Sequence, residues 1–167
     1  MSDILNVKLG TCDVYVGGRH VGHTIGGVEV VYTPEYHETK VDKYAGVAER
    51  WLIGESLMAR VPLAESTLTN VKEAITHGNS TAGHVSVGSI AGKRSSTAAE
   101  VVRLHPIAND AGVLTDDVTI YKAHVTNELT LSFKNDGERI VNAEFTGLID
   151  ESRADGNMLG LIGDSAS

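Results

Sequence analysis

The chain has 167 residues, enough for one domain with a real core and too few for two comfortable ones. Hydrophobic residues make up 41% and charged residues 22%, the balance of a globular chain rather than a disordered one. The net charge of -8 argues against nucleic-acid binding by phosphate neutralisation. Cys12 is the only cysteine, so no intrachain disulfide forms, and synthesis in a reducing cytosol is expected. The opening MSDILNVKLG has neither the basic flank nor the apolar run of a signal peptide. No run of about eighteen apolar residues occurs, so no membrane partner is expected.

Taken in order, residues 1–9 read as an N-terminal arm, and Thr11 to Thr24 reads as a β-hairpin. Cys12, Val14 and Val16 alternate with Asp13 and Tyr15, and Gly17-Gly18 supplies turn residues. After Gly26-Gly27 a strand places Val28, Val30 and Tyr32 on one face and Glu29, Val31 and Thr33 on the other. Pro34 marks an edge or a bulge, because it cannot donate a ladder hydrogen bond. The polar phase resumes through Glu35, His37 and Thr39. A long inter-strand loop is then expected over about 42–54, carrying the apolar triplet Trp51, Leu52 and Ile53. The next strand sets Glu55, Leu57, Ala59, Val61 and Leu63 against Ser56, Met58 and Arg60.

Residues 66–77 read as the one flanking α-helix, capped by Ser66 or Thr67, with Leu68, Val71, Ala74 and Ile75 as its apolar stripe. Val85 and Val87 mark a short arm in the Gly/Ser/Thr-rich stretch that follows, with 92–96 as a mobile tip. Strands are expected over Glu100 to Ile107, Val118 to Val125 and Glu128 to Phe133. Asn135-Asp136-Gly137 supplies a hairpin turn into a strand from Arg139 to Ile149. In that hairpin Leu129, Leu131, Phe133, Val141, Ala143 and Phe145 face inward. A short strand over Met158 to Ile162 precedes a disordered tail, 164–167. The inventory predicts one mainly β domain over 1–167: an antiparallel β-sandwich or partly closed β-barrel with one flanking helix.

No constellation in the sequence specifies catalysis, a metal or a cofactor, and the chain is not expected to be an enzyme. Seven histidines are present, but there is no HxH pair and no HExxH helix. His105 and His124 have no obvious carboxylate beside them in the sequence. No GxSxG elbow is present, and neither glycine pair opens a helix as a phosphate loop requires. Scattered glutamates read as members of solvated faces.

The strand GGVEVVYTPEYHETKVD, a loop, then GESLMARVPLAE running into a helix resembles the tail tube proteins of long-tailed bacteriophages. The similarity extends from about Gly10 to the C-terminus and is densest between Gly26 and Glu65. It implies a structural virion protein, made in the host cytoplasm, that forms stacked hexameric rings around a conduit for double-stranded DNA. The implied partners are further copies of the chain, the tail terminator, the baseplate or tip, the tape measure protein, and a sheath in a contractile tail. On this model Glu29, Thr33, Glu35, Glu128, Thr130, Ser132, Asn142, Glu144 and Thr146 line the lumen, where DNA passes without sticking. Lys43, Tyr44, Arg50, Trp51, Leu52 and Ile53 belong to a loop that reaches a neighbouring subunit. The alternatives are a small β-sandwich binding module, such as a capsid decoration or carbohydrate-binding domain, and the tube of a contractile injection or secretion machine.

Overall fold

The computed structural model describes Lys8 and residues 10–164. The expected arm, apart from Lys8, and the expected tail, apart from the partly buried Asp164, lie outside the described residues. The chain is mainly β, with ten strands and one short α-helix among the described residues. β1 (Cys12–Val16) and β2 (Arg19–His20) form the first hairpin, and Gly17 and Gly18 take the positive φ its turn requires.

β3 (Glu29–Lys40) and β4 (Val47–Leu63) form one long antiparallel hairpin. The expected loop over 42–54 is therefore a correction, since only residues 41–46 turn and the rest is strand. Two register shifts, at Glu35/Tyr36 and Thr39/Lys40, explain why a strict period of two missed it. Each shift slips the alternation by one residue. Past the first, Tyr36 pairs Leu52 and His37 pairs Trp51, and Arg50 binds Glu38 across the strands at 3.0 Å. Pro34 sits on the sheet's edge strand, as its missing donor demands.

The helix α1 (Leu68–Glu73) is shorter than 66–77, and its buried face keeps Val71 and Ala74 of the expected stripe but swaps Leu68 for Asn70. Thr67 caps it by accepting from the Asn70 amide at 3.2 Å. Leu68 is exposed, whereas Asn70 and Ala74 are buried. Asn70 is tolerated inside because its amide group donates to the Val21 and Glu65 carbonyls and its oxygen accepts from Arg19. Past the helix end, the Thr76 hydroxyl ties the chain to the backbone of Val125, which both donates to and accepts from it at 3.0 Å.

β5 (Asn79–Thr81) and β6 (His84–Ser86) make a separate two-stranded arm, and a 3-10 turn spans Ser95–Thr97. β7 (Glu100–Pro106), β8 (Val118–Val125), β9 (Val141–Gly147) and β10 (Gly160–Ile162) complete the fold. The main sheet runs β2-β1-β7-β8-β9-β4-β3, with β10 also on β8. It folds over without closing, as in a sandwich. β8 carries the fold-over, pairing β7 along its first part and β9 at its end. Alternate residues of each strand meet between the layers: Val14 and Val16, Val102 and Leu104, Ile120, Val141, Ala143 and Phe145, and Leu57, Ala59, Val61 and Leu63. The inward faces read from β4 and β9 are therefore correct.

The segment expected as a strand from Glu128 to Phe133 is irregular, and β9 starts at Val141 rather than Arg139. Leu129 and Leu131 still pack against the core, but Phe133 is exposed, with the Arg139 guanidinium 4.1 Å from its ring centre. No hairpin ladder forms across Asn135-Asp136-Gly137, which makes only a bend.

Candidate channel and assembly surface

Opposed residues of an antiparallel pair share one face, so register alone groups the polar side chains. Glu29 lies opposite Arg60, which lies opposite Glu144, a row crossing β3, β4 and β9. Thr33 opposes Ser56, Thr146 opposes Met58 and Asn142 opposes Pro62, all on this face. Glu35 follows in phase opposite Gly54, where the missing side chain leaves room for its carboxylate. The structure thus brings together Glu29, Thr33, Glu35, Asn142, Glu144 and Thr146. It does not bring Glu128, Thr130 and Ser132 to them, because those residues lie in the irregular segment.

Arg60 is the cation in the middle of this face. Its Nε donates to Glu144 at 3.1 Å, and its Nη1 lies 3.5 Å from Glu29. Two carboxylates hold one guanidinium, so the row keeps a single negative charge while its arginine is occupied. Alternation alone puts Arg60 on this face with a neighbouring glutamate as its expected partner, and strand pairing supplies which two glutamates it meets. All three side chains are substantially exposed, so these ion pairs are screened and add little to stability.

β3 is the outermost strand of the sheet, twelve residues long, with one backbone flank unpaired. Beyond Glu35 the hairpin becomes an arm whose two faces are both exposed. Tyr36 and Leu52 lie on one face and Trp51 on the other, with Ile53 at the bulge. Trp51 is 62% and Ile53 61% exposed. The triplet is therefore split between two faces rather than forming one patch on a loop. Lys43 and Tyr44 occupy the turn at the arm's tip, and Arg50 lies in β4. At the arm's root, a crevice lined by Leu57, Ile149, Met158 and Ile162 opens beside β10. The Tyr32 hydroxyl donates to Glu55 there at 2.6 Å, and that hydrogen bond raises the phenol above its usual range.

Elsewhere the histidine reading needs one correction. His105 and Asp117 are both buried, and His105 Nδ1 lies 2.6 Å from Asp117 Oδ1. Asp117 follows a turn-rich link, so no local sequence pattern connected it to His105. The pair does not form a nucleophilic triad, because His105 Nε2 has no hydrogen-bond partner among the described residues. Burial, and then the charge of Asp13, push the Cys12 thiol above its usual value, the opposite of an activated nucleophile. No group of three histidine, cysteine or acidic residues converges on a metal position among the described residues. No described helix is long and apolar enough to cross a membrane.

No protein-family model matches this sequence, and no curated protein matches it.

Proposed function

We propose that this chain is the subunit of a phage tail tube, a structural protein that assembles into stacked rings and lets DNA pass through them. One observation carries the reading: a twelve-residue strand stands at the open sheet edge and runs directly into an arm that exposes large apolar side chains on both faces, among charged ones. Unpaired strand edges and clustered exposed apolar side chains promote association. In a tube subunit, sheet edges meet around the ring while the arm reaches a neighbour. The polar face of β3, β4 and β9 then becomes the inner wall.

The mechanism on this reading is electrostatic. Double-stranded DNA carries about one charge per 1.7 Å of axis, and proteins grip it by placing cations against phosphates and releasing counterions. Arg60 stands between two glutamates, so its row stays net negative, and Thr33, Asn142 and Thr146 add uncharged polar surface. DNA therefore meets a wall that is wet, weakly repulsive and without grip. Electron microscopy of the concentrated protein tests the proposal, with rings or tubes as the expected result. A monodisperse monomer or a closed trimer across protein and salt concentrations refutes it and favours a decoration or binding module.

A further inference from the structure

The irregular segment 128–140 contradicts its own sequence, and one side chain accounts for the conflict. The ladder between β8 and β9 pairs Ala123 with Gly147, His124 with Thr146 and Val125 with Phe145. It continues one step further, since the Thr126 amide donates to the Glu144 carbonyl at 3.1 Å. Carried on in the same register, it would pair Glu128 with Asn142, Thr130 with Ile140 and Ser132 with Glu138. The reversal would fall at Asn135, where Asn135-Asp136-Gly137 supplies turn residues. The facing agrees as well. Leu129 and Leu131 already pack against the core, and Phe133 and Arg139, in contact now, fall on that same face.

What stops the ladder is Asn127. In an antiparallel ladder the next bonds would join Glu144 N–H to Thr126 O, Glu128 N–H to Asn142 O, and Asn142 N–H to Glu128 O. The Asn127 carboxamide occupies one member of each. Its oxygen accepts from Glu144 N–H at 2.8 Å, and its nitrogen donates to Asn142 O at 2.8 Å and to Glu128 O at 3.0 Å. A side chain competing with the ladder for backbone groups is a known behaviour of asparagine.

We propose that Asn127 is a latch: it holds 128–140 out of the ladder in the free subunit, and its release zips that segment into a hairpin. The zipped strand places Glu128, Thr130 and Ser132 on the face that already carries Asn142 and Glu144. It also gives the polar sheet a second open edge, to which β3 of another copy can pair. This last step rests on the tube reading, whereas the latch does not.

The test is backbone amide exchange of the isolated subunit, in wild type and in Asn127→Val. Position 127 faces the core in the projected register, where a β-branched residue suits a strand. Release of the latch is expected to slow exchange at Glu128, Thr130 and Ser132 at least about tenfold, and to shorten any lag before assembly. Unchanged exchange at these amides in a folded Asn127→Val overturns the latch and leaves Asn127 as a staple for β9. Should that variant fail to fold, Leu131→Cys with Arg139→Cys in a Cys12→Ser background decides. These positions face each other in the projected ladder at about 4.5 Å between Cα atoms, within reach of a disulfide. An oxidant traps the hairpin each time the latch opens, and exchange at Glu128, Thr130 and Ser132 that is no slower in the oxidised protein than in the reduced one overturns the latch. Slowed exchange in a protein that never assembles, wild type included, keeps the latch and refutes the tube.

Discussion

Glu144→Lys is the sharpest perturbation of the proposed channel wall, because the structure fixes what it does to charge. Glu144 shares Arg60 with Glu29, at 3.1 and 3.5 Å. The substitution turns a row with one net negative charge into a row with one net positive charge. It also frees Arg60 from half of its restraint. The fold should survive. An exposed pair of this kind contributes about 0.2–1 kcal/mol, and two unit charges 4 Å apart in water repel by about 1 kcal/mol, so the total cost stays near 2 kcal/mol. DNA should notice far more. Each lysine that neutralises a phosphate adds roughly 0.9 to the slope of log affinity against log salt, and the site recurs in every subunit. The assay is DNA release from assembled particles, or DNA retention by assembled tubes, across a salt series. Asp110→Lys serves as the control, since Asp110 is exposed in the link between β7 and β8 and makes the same change in net charge. Slow release at low salt that recovers at high salt is expected for Glu144→Lys alone. Equal behaviour of the two variants would show that Glu144 does not face DNA.

Three further outcomes follow from the same geometry. Trp51→Ala should block assembly while leaving the thermal midpoint of the isolated subunit within about 2 °C, because the indole is 62% exposed and surface changes stay within about 0.5 kcal/mol; a lower midpoint with normal assembly reverses the assignment. Leu63→Ala removes a fully buried side chain and should destabilise the subunit by about 2–5 kcal/mol in denaturant titrations. Asp150 is held down to about 2 by hydrogen bonds from Lys122 and then Ser152, so its contribution is complete above the ordinary carboxylate range and fades as pH falls from about 4 towards 2. Asp150→Asn should flatten that limb of the stability–pH curve and leave the rest of the curve's shape unchanged.

Much of the sandwich was legible because its core strands alternate strictly. Leu57, Ala59, Val61 and Leu63 could be read inward without any partner, and so could Val141, Ala143 and Phe145. Three things were hidden, each for its own reason. The distal half of β4 was masked by two bulges that break the period, so real strand looked like a charged loop. The helix's buried face was masked by Asn70, a polar residue that local pattern assigns to solvent and only long-range hydrogen bonds can satisfy. His105 and Asp117 were hidden because their contact depends on where a turn-rich link returns the chain. Of the proposed lumen residues, those on continuous strands converge, while Glu128, Thr130 and Ser132 fail to converge beside Asn127. Local pattern reports what a backbone can adopt. It cannot see a side chain that competes for the same hydrogen bonds.

On the tube reading, that competition bears on how the free subunit avoids pairing before it assembles. β3 is long and open, and strands of that kind join indiscriminately unless something spoils the edge. Here Pro34 removes a donor, two bulges interrupt the register, and Lys40 ends the strand with a charge. The other flank of the polar sheet lacks such devices in its sequence. Glu128 to Phe133 has no proline, no glycine and full alternation. Left to its pattern it would be a ready edge in every free subunit. Asn127 supplies the missing restraint by occupying the rungs on which that edge depends. The two flanks are thus guarded differently, one permanently and one reversibly. On the tube reading, a ring uses that asymmetry, because each junction would join one flank of each kind, and restraining one partner reversibly is enough to time the event.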